Sequence, residues 1–250
     1  MGDKVGTYTE QESKIFVQGL YEQSATQKQR IGTVRSLDDG RKYAYALAGE
    51  TLAPGKWTMG PPTVGAHDTI AVAETAAVGA KRVKVTLGAT LIAANGYRDG
   101  WLRVDDATYG GELYKVRGHA AIAASGSGYI DLYDSVRVAI TAGTNTVSLM
   151  KSVQHGVLLG VYNAIAGGIA GVPPIDVTSG YYFWNQVKGT CSILTDGTVT
   201  LGLQVALSNA TSGAVELSVP ATTTDLILGQ VLQVSATTLY SLINLNVPGY

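Results

Sequence analysis

From residue 69 onward the chain places apolar residues at every second position and closes each run with a glycine-bearing turn. Val83, Val85 and Leu87 alternate with Arg82, Lys84 and Thr86; Leu102 and Val104 flank Arg103; Ile130 and Leu132 flank Asp131. Successive side chains of a strand point to opposite faces, so this period builds ribbons with one dry and one wet face. It does not suit a helix, whose apolar period is about 3.6. Between the runs stand Asn95-Gly96, Asp99-Gly100, Gly110-Gly111 and Ser125-Gly126-Ser127-Gly128. Tight hairpin turns need positive φ, which a Cβ resists and glycine tolerates. With 31 glycines and few segments of helical period, the chain is expected to be all-β rather than assembled from βαβ units.

The composition breaks most sharply between residues 165 and 176, a glycine-rich stretch ending in Pro173-Pro174. Beyond it a second run of strands begins at Tyr181-Tyr182-Phe183-Trp184, with an expected hairpin at Asp196-Gly197 that returns through Val205. Residues 9–24 carry Ile15, Phe16 and Leu20 near one side of a helical wheel, a stripe too thin to fold alone, so the segment is expected to order either on a partner or against its own domain. The expected organisation is therefore an extended, partly helical N-terminal arm and linker over 1–62, a first β domain over 63–165 and a C-terminal β domain over 172–250. Each β domain is expected to be a small antiparallel barrel or sandwich.

Charged residues make up 15% of the chain and the net charge is -1, so no basic field steers it to nucleic acid. The cationic cluster Lys81, Arg82 and Lys84 reads as a wet strand face. The uncharged stretch 156–175 is broken by Asn163, glycines and prolines, which argues against a membrane span. The single Cys191 excludes an internal disulfide and any cysteine-based zinc site, and the N-terminus lacks the apolar run of a signal peptide. His67, His119 and His155 stand apart with no ligand spacing, while Asp38-Asp39 and Asp105-Asp106 sit in turn-like surroundings. No phosphate loop, nucleophile elbow or dinucleotide fingerprint occurs. No catalytic residue, metal ligand or cofactor is expected.

Fourteen tyrosines against two phenylalanines carry the remaining information. Tyrosine joins an apolar face to a polar tip, which suits a surface that is wet before assembly and covered after it. Ile15, Phe16, Leu20, Tyr43, Tyr45, Tyr181, Tyr182 and Trp184 are accordingly the expected partner interface. A second possibility is a carbohydrate- or receptor-binding β module whose Trp57, Trp101 and Trp184 stack on sugar rings.

The segments Arg30-Ile31-Gly32-Thr33-Val34, Asp39-Gly40-Arg41-Lys42-Tyr43-Ala44-Tyr45 and Leu52-Ala53-Pro54-Gly55-Lys56 resemble the opening of head structural proteins of tailed bacteriophages. Gly180-Tyr181-Tyr182-Phe183-Trp184-Asn185-Gln186-Val187-Lys188-Gly189, followed by Leu194-Thr195-Asp196-Gly197-Thr198-Val199, is similar to the C-terminal β unit of capsid decoration, or cement, proteins. The resemblance covers the first segment and the last third best. It implies a non-catalytic virion protein, assembled in the host cytoplasm, that binds the major capsid protein on the outer shell and associates with itself, commonly as a homotrimer.

Overall fold

A computed structural model describes residues 16–105, 111–161, 167–218, 226–236 and 239–250. The strands are β1 (Val34–Ser36), β2 (Lys42–Ala48), β3 (Thr58–Met59), β4 (Ile70–Glu74), β5 (Arg82–Thr86), β6 (Trp101–Asp105), β7 (Leu113–His119) and β8 (Ser127–Leu132). They continue with β9 (Thr146–Met150), β10 (His155–Leu159), β11 (Ile169–Gly171), β12 (Tyr182–Leu194), β13 (Gln204–Leu207), β14 (Val215–Leu217), β15 (Ile227–Gln233) and β16 (Tyr240–Asn246). The protein is all-β, in two bodies, as the alternation requires.

The smaller body is a closed barrel in the order β4-β5-β8-β7-β6-β9, with β9 returning to β4 through Ile70 and Val147. Its inward positions are the alternating residues: Val83, Val85, Leu102, Ile130 and Leu132 are fully or almost fully buried, while Arg82 and Arg103 face water. Ile92 and Tyr97, from the long connection between β5 and β6, join the same core. Asn95 and Asp99 adopt φ of 57° and 61° in that connection. The Asn95-Gly96 and Asp99-Gly100 pairs thus bend a loop rather than close hairpins, because β5 pairs with β4 and β8 while β6 pairs with β7 and β9.

The larger body is a ten-stranded sheet in the order β11-β3-β10-β2-β12-β16-β15-β13-β14, with β1 added on β2. At its centre the 13-residue β12 pairs with β2 along its first half and with β16 along its second. The sheet curls until its ends meet. Trp57 donates its backbone N–H to Gly213, Gly213 donates to Gly160, and Gly160 donates to Trp57, each at 2.8–3.0 Å. The sandwich-like core that results holds Trp57, Val187, Ile193, Leu228 and Leu245.

Several expectations are corrected. The stretch 1–62 is more than an arm and linker: β2 lies inside the large sheet with Tyr43, Ala44, Tyr45 and Ala46 all buried, one face on the sandwich core and the other under residues 16–37. The barrel spans 70–150 and is inserted in the larger body, since β10 and β11 return to the sheet that β2 and β3 began. Asp196-Gly197 makes a turn, with Gly197 at φ 74°, but not a hairpin: β13 pairs with β14 and β15, and Asp196 instead donates its N–H to Val215. Pairing is antiparallel except between β10 and β2, the one parallel pair of named strands among the described residues. Of the expected helix over 9–24, residues 9–15 lie outside the described residues and 16–24 form turns and a bridge, with no helix.

Candidate functional site

The expected interface residues divide into a covered set and a flanking set. Tyr43 and Tyr45 of β2 and Trp184 of β12 stand in one cluster on the outer face of the large sheet, with Phe16, Leu20, Leu37 and Tyr182 packed against it. Phe16 meets the Trp184 ring edge-on at 5.2 Å, Tyr45 meets it edge-on at 5.0 Å, and Tyr45 stacks on Tyr182 at 5.9 Å. Polar tips are satisfied from within the chain. Trp184 Nε1 donates to the Gln18 carbonyl at 3.1 Å, and the Tyr45 hydroxyl donates to Gln18 Oε1 at 2.7 Å while accepting the Lys28 N–H at 3.0 Å.

Ser24 and Tyr182 exchange backbone hydrogen bonds at 2.8–2.9 Å, which lays residues 16–24 along β12. Tyr43, Tyr45 and Trp184 are therefore sealed by the protein's own N-terminal segment and are not free to meet a partner; burial raises the Tyr43 hydroxyl to about 12 and also raises that of Tyr45. Phe16, Leu20, Tyr181 and Tyr182 are half-buried. Tyr181 packs on a different cluster, with Phe183 and Val157. Ile15 lies outside the described residues.

Past the sealed half, the same face of the sheet is open. Even-numbered positions of β12 continue from Trp184 through Gln186 to Lys188, Thr190 and Ser192, and β16 adds Tyr240, Leu242, Asn244 and Asn246. The register aligns Thr190 with Asn244, Asn244 with Gln230 and Gln230 with Gln204, a row of neutral hydrogen-bonding side chains crossing four strands, all exposed. Two hollows lie along this row, one lined by Thr190 and the other by its register partner Asn244. One, of about 470 Å³, is lined by Tyr21, Arg41, Pro54, Pro173, Ser192 and Tyr240 among others. The other, of about 570 Å³, is lined by Lys188, Gln204, Gln230, Asn244, Asn246 and Pro248 among others. The row was not expected from the sequence; its signal was Asn244 and Asn246 at alternate positions of β16, with Gln204 and Gln230 exposed on β13 and β15.

The C-terminal part of the sheet also exposes aliphatic side chains. Leu201 is 64% exposed, Leu203 and Leu239 50%, and Leu226, Leu232 and Val234 each 42–43%. Leu201, Leu203, Leu232, Val234 and Leu239 lie toward the C-terminal end of β15, the turn hydrogen-bonded to it through Gly202 and Leu203, and the start of β16, while Leu226 stands at the other end of β15. No charged residue occurs between 226 and 250.

The titratable groups are arranged otherwise. The Tyr97 hydroxyl pairs with His67 Nδ1 at 2.5 Å and the Tyr97 N–H donates to His119 Nε2 at 3.1 Å, inside one end of the barrel. Burial pushes His119 and His155 below the ordinary histidine value, and pushes the Cys191 thiol up to about 12, where it stays protonated. On the barrel wall Ser148 Oγ pairs with a carboxylate oxygen of Asp68 and, at 2.5 Å, with Asp105 Oδ2, beside Arg103. Among the described residues no three histidines, cysteines or acids converge as a metal site, and no helix is long and apolar enough to cross a membrane.

The tryptophans do not form a sugar platform. Trp57 and Trp184 are buried, with Trp57 Nε1 donating to the Ala214 carbonyl at 2.9 Å, and Trp101 carries the Lys115 ammonium 4.2 Å from its ring centre. No family model, curated protein or solved structure matches the chain.

Proposed function

We propose that the protein is a non-catalytic virion component that decorates and cements the outer surface of a tailed-bacteriophage capsid, binding the major capsid protein and associating with copies of itself. The observation that carries this reading is the exposed aliphatic side chains Leu201, Leu203, Leu232, Val234 and Leu239, toward one end of β15 on a part of the chain almost devoid of charge. Exposed apolar clusters of this kind serve association, because one partner can remove neighbouring leucines from water together, whereas leucines scattered singly offer it no such area. The charged barrel and the sealed N-terminal segment complete a rigid β body suited to bridging several subunits. Simultaneous contact with more than one capsid subunit raises effective concentration and can strengthen attachment by about two to four orders of magnitude without new contacts.

Cosedimentation with purified capsids that lack the protein tests the proposal. The chain is expected to pellet with them saturably at a fixed ratio to the capsid subunit and to appear on the outer shell in particle images. A chain that stays in the supernatant at every concentration, or appears only on the tail, overturns it.

A further inference from the structure

We propose that the open half of the large sheet's outer face is a binding trough for a neutral, unsulfated oligosaccharide, a function that does not depend on the capsid reading. The trough comprises two neighbouring hollows, one lined by Thr190 of β12 and the other by its register partner Asn244 of β16. Across it run Thr190, Asn244, Gln230 and Gln204 in register on four adjacent strands. At the usual strand spacing this row is about 14 Å long, the reach of a short oligosaccharide.

The chemistry of the lining selects the ligand. Among the described residues, the side chains of Thr190, Gln204, Asn244 and Asn246 make no hydrogen bond within the protein, and Gln230 uses only its Nε2, on the Gly202 carbonyl at 2.8 Å. Carboxamides offer a donor and an acceptor side by side, which matches the vicinal hydroxyls of a pyranose. Sugar rings also carry an apolar side that stacks on aromatic faces. Tyr240, 45% exposed, and Tyr21, 59% exposed, line the hollow at the Thr190 end, with Pro54, Pro173 and Pro174 beside them.

Charge argues against a cationic ligand and leaves an anionic one a single uncommitted cation, Lys188. Among the described residues, Arg41 and Lys188 are the only charged ones lining the two hollows. Asp39 already holds the Arg41 guanidinium at 2.7 Å, and the Tyr43 hydroxyl engages its Nη1 at 3.1 Å. With no carboxylate among the described lining residues, nothing there is placed to bridge a sugar through a divalent cation. The polar row stands on strands rather than loops, so the spacing of its backbone attachment points is fixed before ligand arrives.

Titration calorimetry of the full chain with neutral hexasaccharides of glucose, mannose and N-acetylglucosamine, with neutral O-chain polysaccharides, and with a sulfated hexasaccharide tests the inference. At least one neutral saccharide is expected to bind with an affinity unaffected by added salt. The variant carrying Gln204→Ala, Gln230→Ala and Asn244→Ala, all at exposed positions, is expected to weaken that binding by about tenfold or more, from the loss of several neutral hydrogen bonds. Tyr240→Ala is expected to weaken it too, while Leu203→Glu leaves it unchanged. Absence of binding to every neutral saccharide at millimolar concentration, binding confined to the sulfated one, or binding that the triple variant retains in full overturns the inference. Failure of capsid cosedimentation bears on neither outcome.

Discussion

The carboxylate of Asp99, in the loop that leads into the barrel, accepts the backbone N–H of Ile31, in the segment that leads into the large sheet, at 3.1 Å. The same Oδ2 accepts Gln27 Nε2 at 3.0 Å, and Oδ1 accepts the Tyr133 hydroxyl at 3.2 Å. Asp99 is fully buried and its φ of 61° is one that aspartate and asparagine tolerate better than most residues. One side chain therefore joins the inserted barrel to the body that surrounds it. Asp99→Ala is expected to lower stability by about 3 kcal/mol, since it strands a buried N–H and removes a charge-assisted acceptor. Asp99→Asn keeps the backbone preference and one acceptor and is expected to cost less. Denaturant unfolding of the two variants measures both, and equal stability of Asp99→Ala and the parent protein contradicts the joint.

Where the ends of the large sheet meet, Gly160 has no room for a side chain. A Cβ built there lies 2.1 Å from the Trp57 ring, which is itself enclosed. Gly160→Ala is expected to destabilise the protein by about 1–3 kcal/mol through overpacking. Trp57→Phe in the same background is expected to recover part of the loss, as thermal unfolding of the single and double variants shows.

Acid is expected to weaken the fold through two histidines. Desolvation is the main cause that holds His119 and His155 below the ordinary value of 6.5. Between that value and the lower folded one, the unfolded chain binds more protons than the folded chain. Their contribution to stability is therefore complete above pH 6.5 and is lost as the pH falls below it. The melting temperature is expected to drop from about pH 7 to about pH 5, and less steeply in the variant with His119→Gln and His155→Gln. An identical slope in that variant contradicts the assignment.

Cys191 points into the sandwich core from β12, 6% exposed. With its thiol raised to about 12 by burial, it is expected to resist a maleimide or a disulfide reagent in the native protein and to react fully once the chain is unfolded. Rapid labelling of native protein contradicts that placement.

The strands of the barrel were legible because each has one wet face: the alternation at Val83, Val85, Leu102, Ile130 and Leu132 is the burial pattern itself. The insertion was not legible. β3 has two residues and β11 three, too short to show a period, and β2 is covered on both faces, so neither its place in the large sheet nor the chain's return to it through β10 leaves a mark in the sequence. The tyrosines of β2 illustrate a different limit. A tyrosine sealed by residues 16–24 of its own chain and one sealed by a partner have the same chemistry, so composition cannot separate them. The neutral row across β12, β16, β15 and β13 depends on strand order, which alternation does not specify.

The apolar end of the large sheet carries the reading that this protein exists to be covered by neighbours. Light scattering coupled to size-exclusion of the purified chain, alongside the variant Leu203→Glu with Leu232→Glu, measures it directly. The expected result is a mass that is a multiple of 26.1 kDa for the parent chain and 26.1 kDa for the variant, with the variant's barrel and sheet still folded. A parent chain that elutes at 26.1 kDa over the whole accessible concentration range, indistinguishable from the variant, contradicts it.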